Sequence, residues 1–512
     1  MRRAILVAAL LALTAVSCPP LPGVLQVTPV SLVFLSSPLP FNLKALFSEP
    51  GQPPLDISGQ ATWSSDNLAV AVVDDDGTVI VGSDIGVAHI TARFQNLEAS
   101  ATVSRLDATA TGEFIPGQIV AQFTPGTSAS AISALAEENG LALLNLLPLG
   151  GSGFCSSLLA VLEDQQNQGL EQLIIALGGD PDAEGLLRVD PKVRYGTAGF
   201  VSDPGESSPE PALVGMGNLV TQGITGQGQR IAVVDTGFDL SHPDLSGSAV
   251  GGSAINFSDE GSQNDITDLF TMSEEVIGHG TGVAALALAR RNETGVVGIA
   301  PGASLIPIKA CNADGECTTP AVAASICHAL NQGAEVINLS LGGKQPSVLV
   351  QEAIQEALER GVVVVAAAGN EGDLGSSPHF PAAFDLPGLI AVGATENSGW
   401  FRAFFSNRGS YLDLMAPGST VISAAPDSQY EFFDGTSFAT PFVSGAAALL
   451  LSQNPGLTPA QVESTLESAA TDLQSPGPDI ETGWGRLNVC AALGGVLEFA
   501  ETVCDLTRSA KP

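Results

Sequence analysis

The stretch FDGTSFATPFVSGAAALLL, residues Phe433 to Leu451, places one hydroxyl side chain where a helix begins and then buries that helix. The Ala and Leu run at its end is apolar on every side, as in a helix inside a core. Pro441 predicts a first-turn position, because proline lacks the N–H that a later turn uses. Ser437 therefore faces backbone N–H groups that have no partner inside the helix and can stabilise an oxyanion. Taken alone, a serine before a helix is most often only a cap.

Two upstream stretches change that interpretation, namely IAVVDTGFDLSHPDL (residues 231–245) and GHGTGVAALALA (residues 278–289). The three stretches supply Asp235, His279 and Ser437, in that chain order. They resemble the signature motifs of the subtilisin-like serine proteases. The resemblance implies a serine endopeptidase in which Ser437 attacks the peptide bond. His279 would act as base and then as acid, while Asp235 orients the imidazole.

The other four histidines have ordinary structural interpretations. His89 lies in a β-rich segment and His328 on a predicted helix, whereas His379 lies in a loop flanked by proline and His242 in the turn after Asp235. His279 is therefore the preferred base.

Further motifs resemble the family's substrate-binding machinery. AAAGNEG (residues 366–372) resembles the segment whose Asn, here Asn370, donates its amide to the oxyanion. NLSLGG (residues 338–343) resembles the strand that pairs with the substrate backbone. The residues that the resemblance assigns to substrate binding are Ser340, Leu341, Gly342, Gly315 and Glu316, with Ala367, Ala368 and Gly369 as walls of the first specificity pocket. Such small walls predict a pocket with a broad preference for apolar or aromatic substrate side chains, and Glu371 at its rim would admit basic ones.

Two positions depart from the family pattern. Phe438 stands where the family has Met, and Phe442 stands where it has His. Phenylalanine should resist oxidation, yet the bulk of Phe438 could narrow the site and lower turnover. Neither position supplies a triad group, so activity is still expected.

A calcium site is implied by the resemblance of Asp244 and the loop RRNETGV (residues 290–296) to the family's high-affinity site. Asp244 and Asn292 would give side-chain oxygens, and Thr294 and Val296 would give carbonyls, which suits a hard cation. An Asp that caps a turn beside an exposed loop is the alternative interpretation.

The chain begins with two arginines, an apolar run and small residues, which predicts a signal peptide over residues 1–17. Cys18 then resembles a bacterial lipoprotein acylation site. The protein is therefore expected to be exported, either as a lipoprotein whose precursor is anchored to the membrane or in secreted form.

The other cysteines are expected to meet oxidants after export. Cys311 with Cys317, and Cys490 with Cys504, are close enough in sequence to be natural pairs. Cys327 is interpreted as a small buried hydrophobic residue on a helix.

The remaining chain divides into several predicted domains. Residues 24–105 show all-β patterning and resemble a bacterial Ig-like domain. Residues 112–198 follow the β-α-β-β-α-β order of a ferredoxin-like unit, and resemble the inhibitory propeptide, which also acts as a folding chaperone. A processing linker over residues 199–211 precedes the catalytic domain at residues 212–494, and a tail at residues 495–512 follows. In the catalytic domain, helices alternate with apolar strands, which predicts an α/β parallel sheet. The predicted strands are residues 231–235, 305–309, 335–339, 362–367 and 390–394. A polar linker, Asp107 to Glu113, joins the first two domains.

Other functions are less well supported by the sequence. The net charge of −35 excludes a nucleic-acid binder. Asp235-Thr236-Gly237 matches an aspartic protease triplet, but two are required and one is present. An α/β-hydrolase requires G-x-S-x-G, and Ala439 occupies the last place. A surface adhesion protein with an inert protease fold is the non-enzymatic alternative, and the intact triad argues against it.

Overall fold

The structure is a computed structural model that describes residues 24–34, 40–48, 54–107, 113–166, 174, 177, 185–197, 200–201, 214, 219, 223–272, 275–292 and 294–494. The predicted signal peptide, Cys18, most of the second propeptide helix, most of the processing linker and the C-terminal tail lie outside these residues. Within them, no helix combines the length and the apolar character needed to cross a membrane.

The N-terminal region is rich in β-strands. In chain order they are β1 (Val24–Thr28), β2 (Ser31–Phe34), β3 (Phe41–Asn42), β4 (Lys44–Ser48), β5 (Leu55–Asp56), β6 (Thr62–Ser65), β7 (Ala71–Val73), β8 (Thr78–Val81), β9 (Gly86–Phe94) and β10 (Leu97–Arg105). They form three sheets with the orders β1-β4-β5, β2-β10-β9-β6 and β3-β8-β7. Trp63 is a core aromatic residue, buried between them, and donates its indole N–H to the Ser58 carbonyl at 2.9 Å.

The middle region forms one antiparallel sheet. Its elements are β11 (Phe114–Phe123), α1 (Ala129–Glu138), β12 (Leu141–Pro148), β13 (Leu158–Asp164) and β14 (Leu186–Thr197). The strands lie in the order β12-β13-β11-β14. Ser128 caps α1 by accepting from the Ala131 N–H, which satisfies one donor that the helix leaves free.

The C-terminal region is built on a seven-stranded sheet. Its remaining strands are β15 (Phe200–Val201), β16 (Arg230–Asp235), β17 (Ile255–Asn256), β18 (Thr271–Met272), β19 (Glu275–Val276), β20 (Ser304–Lys309), β21 (Glu316–Thr318), β22 (Val336–Leu339), β23 (Leu341–Gly342), β24 (Val363–Ala367), β25 (Leu389–Thr395), β26 (Leu414–Pro417), β27 (Val421–Ala425) and β28 (Gln429–Asp434). Its helices are α2 (His279–Leu288), α3 (Thr319–Asn331), α4 (Val348–Glu359), α5 (Thr436–Gln453), α6 (Pro459–Ala469) and α7 (Val489–Gly494).

All neighbours in the large sheet are parallel, in the order β17-β20-β16-β22-β24-β25-β26. The parallel α/β sheet predicted from the sequence is therefore confirmed. The two edge strands were missed, because β17 has only two residues and β26 ends in Pro417, a residue that sheets accept at their edges.

Alternate residues of each central strand point to opposite faces of the sheet. Ile231 and Val233 of β16 join the core formed with α2 and α5, whereas Ala232 and Val234 join the core formed with α3 and α4. Burial on both faces explains why these strands read as unbroken apolar runs. The Asp235 carboxylate then lies at the carboxyl end of β16, where open parallel sheets place their sites.

The middle region packs on the outer surface of α3 and α4. Val120, Val193 and Tyr195 share one buried cluster with Val322 and Ile354 of those helices. Cys155, between β12 and β13, forms a disulfide with Cys327 of α3. The interpretation of Cys327 as a small hydrophobic residue was therefore wrong, because its partner lies 172 residues away and no local spacing announces it.

The predicted linker is held at both ends by the C-terminal region. The Asp107 N–H donates to Gln345 Oε1 at 2.9 Å, and Gln345 Nε2 donates to the Asp107 carbonyl at 2.7 Å. The Glu113 carboxylate accepts from the N–H groups of Lys344 and Gln345. The ends of this segment are thus docked rather than solvated.

Candidate active site

Ser437 is the second residue of α5, and Gly435 precedes the helix with φ 145°. The Ser437 hydroxyl is buried and donates to the Ser340 carbonyl at 2.9 Å. The first N–H groups of the helix have no carbonyl one turn earlier. The Thr436 N–H donates to Asn370 Oδ1 and the Phe438 N–H to the Gly435 carbonyl, and the Ser437 N–H lies between them in the chain.

Pro441 lies inside α5 rather than in its first turn, so the sequence-based position was wrong. A proline here removes the N–H that would bond the Ser437 carbonyl one turn earlier. That carbonyl instead accepts a hydrogen bond from Ser340 Oγ at 2.7 Å. Ser340 and Ser437 therefore exchange two hydrogen bonds, and this exchange ties the helix start to the segment between β22 and β23.

His279 is the first residue of α2, and its Nδ1 lies 2.6 Å from Asp235 Oδ1. Both side chains are buried. Among the described residues, neither His279 Nε2 nor Asp235 Oδ2 has a hydrogen-bond partner. The imidazole is therefore oriented through one nitrogen, while the other is free to take a proton.

A supporting layer behind these residues escaped the sequence analysis. Asp268 accepts from the Thr281 N–H and hydroxyl at 2.8 and 2.6 Å and from the Thr236 hydroxyl at 2.8 Å. Thr236 in turn donates its N–H to Asp235 Oδ1 at 2.7 Å. Burial raises the pKa of Asp268, although the hydrogen bonds from the threonines oppose that rise. These contacts fix Asp235 and the first turn of α2 against each other.

Asn370 has its amide orientation set by Thr436. The Asn370 Oδ1 accepts from the Thr436 N–H at 2.9 Å and from its hydroxyl at 3.0 Å. With its oxygen engaged, the amide can offer only its NH2 group beside the start of α5. This is the polarity that stabilisation of an oxyanion requires.

The two phenylalanines of α5 are buried. The Phe438 ring packs edge-on against His279 with centroids 5.0 Å apart, and stacks on Phe433 at 4.4 Å. Phe270 contacts the imidazole on another side at 5.6 Å. Phe438 thus helps to hold the imidazole, a role that its place in the sequence did not indicate.

The chain's own β14 lies between two strands of the C-terminal region. Tyr195 and Gly196 pair with Cys317 and Glu316 of β21, while Gly196 and Thr197 pair with Gly342 and Leu341 of β23, all antiparallel. The Thr197 N–H also donates to the Gly315 carbonyl at 3.0 Å.

β15 follows β14, and its Phe200 and Val201 pair with Asp434 and Phe433 of β28. Asp434 is only three residues before Ser437 in the sequence. Thr197 and Phe200 are thus paired with residues that are close in sequence to Ser340 and to Ser437, respectively.

The groove in which β14 lies has β21 as one wall and β23 as the other. The wall at β21 carries a disulfide between Cys311 and Cys317. The loop between them holds Asn312, whose side-chain oxygen accepts from the N–H groups of Asp314 and Glu316 at 3.1 and 2.8 Å. The disulfide and these bonds together fix the backbone beside Gly315.

The predicted calcium ligands lie together. Asn292 Nδ2 donates to Asp244 Oδ1 at 2.9 Å, and the Val296 N–H donates to Asp244 Oδ2 at 3.0 Å. No described backbone N–H donates to the Thr294 or Val296 carbonyls. The Asn292 oxygen accepts from the Thr294 N–H and hydroxyl, both at 3.1 Å, so it faces its own loop while its NH2 faces Asp244. The Asp244 carboxylate and the two carbonyls are oxygens of the kind that a hard cation takes, whereas the Asn292 oxygen would have to leave Thr294 to join them.

A second acidic group lies at the other end of the sheet. The side-chain oxygens of Asp413, Glu463 and Glu467 lie within 4.8 Å of one another. Burial raises the pKa of Asp413 to about 8 and that of Glu463 to about 7. These carboxyls are therefore partly protonated at neutral pH, so the cluster is less charged than its composition suggests.

Comparisons with known proteins agree with this geometry. The sequence profile of the subtilase family, Peptidase_S8, matches residues 226–485. Subtilisin of Bacillus pumilus is 41% identical over 274 residues, which cover 54% of this chain and 94% of the relative. Subtilisin DY of Bacillus licheniformis is 41% identical over 282 residues, which cover 55% of this chain and 96% of the relative.

Among solved structures, fervidolysin from Fervidobacterium pennivorans, a keratinolytic enzyme related to subtilisin, superposes with a TM-score of 0.62 at 27% identity. The match covers 76% of this chain and 62% of fervidolysin.

The groove wall gives a first prediction. Cys311→Ser with Cys317→Ser should raise KM for extended peptides more than for single-residue esters, because only the former need an ordered wall. So short a loop contributes about 2 kcal/mol, so the melting temperature should fall by about 4 to 8 °C. Steady-state kinetics on both substrate classes measures this. Equal effects on peptides and esters would rule out a role in the wall.

Proposed function

The chain belongs to the subtilase family and is a subtilisin-like serine endopeptidase, and we propose that it is exported as a precursor that cuts and inhibits itself. The observation that carries this proposal is β14, which pairs with both walls of the groove as an extended substrate does in strand addition.

The proposed reaction uses the residues in the following roles. Ser437 Oγ turns from the Ser340 carbonyl toward His279 Nε2, loses its proton to that nitrogen and attacks the peptide carbonyl. Asp235, held at Nδ1, stabilises the positive imidazolium. The NH2 of Asn370 and the Ser437 N–H stabilise the oxyanion, and loss of one such donor typically costs about 3 kcal/mol of barrier. The imidazolium then protonates the leaving amine.

The bond that the precursor cuts in itself is proposed to lie between Thr197 and Phe200. Support comes from the pairing of Thr197 with Leu341, which follows Ser340, and of Phe200 with Asp434, three residues before Ser437. After the cut, the segment that ends near Thr197 remains paired in the groove as a product-like inhibitor.

Replacement of the nucleophile tests the proposed reaction. Ser437→Ala should fold normally yet leave the precursor uncut, since the hydroxyl is needed only for bond making. The wild-type enzyme should yield a mature N-terminus at Ala198, Gly199 or Phe200 by N-terminal sequencing. Ser452→Ala, on the same helix, is the matched control and should process normally, since this hydroxyl bonds only within its own helix, to the Leu449 carbonyl and to Gln453 Nε2. Processing of purified Ser437→Ala at this site would disprove the assignment.

Covalent retention of the cut propeptide is also proposed. The Cys155–Cys327 disulfide joins the middle region to α3, and both cysteines are fully buried. Removal of the propeptide would otherwise leave the catalytic domain free or only non-covalently bound. With the disulfide in place, cleavage near Thr197 does not separate the two parts, so an N-terminal lipid at Cys18 would still anchor the enzyme.

Denaturing gels test the covalent retention, and partition between detergent and aqueous phases tests the lipid. The cut wild-type protein should migrate as one species in the gel without reductant and as two species in the gel with reductant. Its catalytic domain should partition into detergent. Cys155→Ser should give two species in both gels and should release the catalytic domain to the aqueous phase once urea breaks the non-covalent contacts of the cut segment. Cys18→Ser should release the linked pair without urea. The Cys311→Ser, Cys317→Ser variant is the control and should stay linked. Separate migration of the wild type without reductant would exclude the tether, and a linked but aqueous wild type would exclude the lipid.

A structural calcium is proposed for the loop beside Asp244. A ligand that binds only the folded state at a hundred times its Kd adds about 2.7 kcal/mol. Excess calcium should therefore raise the melting temperature by about 5 to 10 °C over a chelated sample. Asp244→Asn should abolish this rise, while Glu463→Gln in the other acidic cluster should retain it. A rise that persists in Asp244→Asn would exclude this loop.

A further inference from the structure

His379 lies buried between two backbone segments of the substrate groove. A Cβ placed on Gly342 would lie 2.5 Å from His379 Nε2, and one on Gly369 would lie 2.7 Å from His379 Nδ1. Gly342 pairs with the substrate-like Gly196, and Gly369 directly precedes Asn370. The imidazole therefore fills the space between the two walls of the first specificity pocket.

The surrounding backbone fixes the ring in this place. The Phe380 N–H donates to the Gly343 carbonyl at 2.6 Å, and the Gly343 N–H donates back to the Phe380 carbonyl at 2.8 Å. This pair of bonds ties the residue after His379 to the residue after Gly342. The backbone that carries the imidazole is therefore fixed beside the pocket.

Neither ring nitrogen of His379 has a hydrogen-bond partner among the described residues, although the side chain is only 4% exposed. The nearest carboxylate oxygen, Glu371 Oε2, lies 3.6 Å from Nδ1, too far for a hydrogen bond. A buried polar group without a partner is costly. Both the position and the free nitrogens suit a ring that meets a substrate side chain.

The charged groups around the ring favour its neutral form. Burial lowers the pKa of His379, the Glu371 carboxylate opposes that shift, and the Lys344 ammonium adds to it. Glu371 itself is held by Asn407, which donates Nδ2 to Oε2 and accepts the Glu371 N–H, both at 2.9 Å. The Glu371 carboxylate is therefore bonded to Asn407 beside the pocket and is not free to attract a basic substrate side chain.

We propose that His379 closes the floor of the first specificity pocket, so that the enzyme cuts after small residues such as alanine and serine. This inference rests on the proposed endopeptidase function and replaces the broad apolar or aromatic preference expected from the small walls. Aromatic side chains are excluded by the volume of the ring. A serine hydroxyl gains a hydrogen bond from a ring nitrogen that would otherwise stay unpaired.

Peptide amides that differ only in the residue before the cut bond test the proposal. Wild-type kcat/KM for alanine and serine should exceed that for phenylalanine by about tenfold or more, the scale on which pocket contacts discriminate. His379→Gly should open the floor and raise the phenylalanine-to-alanine ratio by about tenfold or more. His379→Leu should keep the preference for small residues but lose the advantage of serine over alanine.

The ratio compares two substrates on one preparation, so a partly folded variant does not alter it. His328→Gln is the control, since that histidine is half-buried on α3 and contacts the Ser253 carbonyl at 2.8 Å. Its substrate profile should match that of the wild type. Equal cleavage after phenylalanine and alanine by the wild type, or an unchanged ratio in His379→Gly, would overturn the proposal. Absence of any hydrolysis, together with no labelling of Ser437 by a serine-directed phosphonate, would instead refute the endopeptidase function.

Discussion

The burial of α5 is the constraint on which the rest of the site depends. The helix packs on the central strands β22, β24 and β25 and on α2, and its residues from Thr436 to Leu451 are buried on all sides. It therefore cannot rotate or slide without breaking the core. Ser437 at its start is fixed relative to the sheet end that carries Asp235, and relative to α2, which begins with His279. Precise placement of the reacting groups is worth more to catalysis than any single contact.

The sequence predicted the parts of this arrangement that local patterns encode. Strands buried on both faces read as apolar runs, so the five central strands were found, whereas the two-residue β17 was not. Pro441 was misplaced because the rule for isolated helices does not foresee Ser340, whose hydroxyl bonds the carbonyl that the proline leaves free. Asp268, His379 and the Cys155–Cys327 disulfide were missed for one shared reason. Their partners are brought together only by the folded chain, and each residue alone has an ordinary interpretation.

Under the proposed self-processing, the docked β14 would serve first as substrate and then as inhibitor. Strand addition gives the backbone N–H and C=O groups of the bound segment hydrogen-bond partners on both edges. These bonds supply affinity that depends little on the side chains. A disulfide tether then turns rebinding into an intramolecular event, for which short linkers give effective concentrations of about millimolar. Cleavage alone would therefore leave the groove largely occupied. Full activity would require degradation of the tethered segment rather than its dissociation.

The strand β14, which occupies the groove, is held to the C-terminal region at a junction where the N-terminal, middle and C-terminal regions meet. Arg188 of β14 donates to the Glu352 carboxylate of α4, and His89 of β9 lies 4.0 Å from that same carboxylate. Asp190 is buried beside them, and burial raises its pKa to about 7. Glu352 is partly exposed, so water would compensate part of its charge if Arg188 were lost. Arg188 also donates to Thr102 Oγ1 and Gln122 Oε1, both at 3.3 Å. An apolar contact would tolerate a slip of two residues along the groove, whereas a slipped strand would lose these directional contacts. Under the proposed self-processing, the junction would therefore help to set which peptide bond lies in front of Ser437.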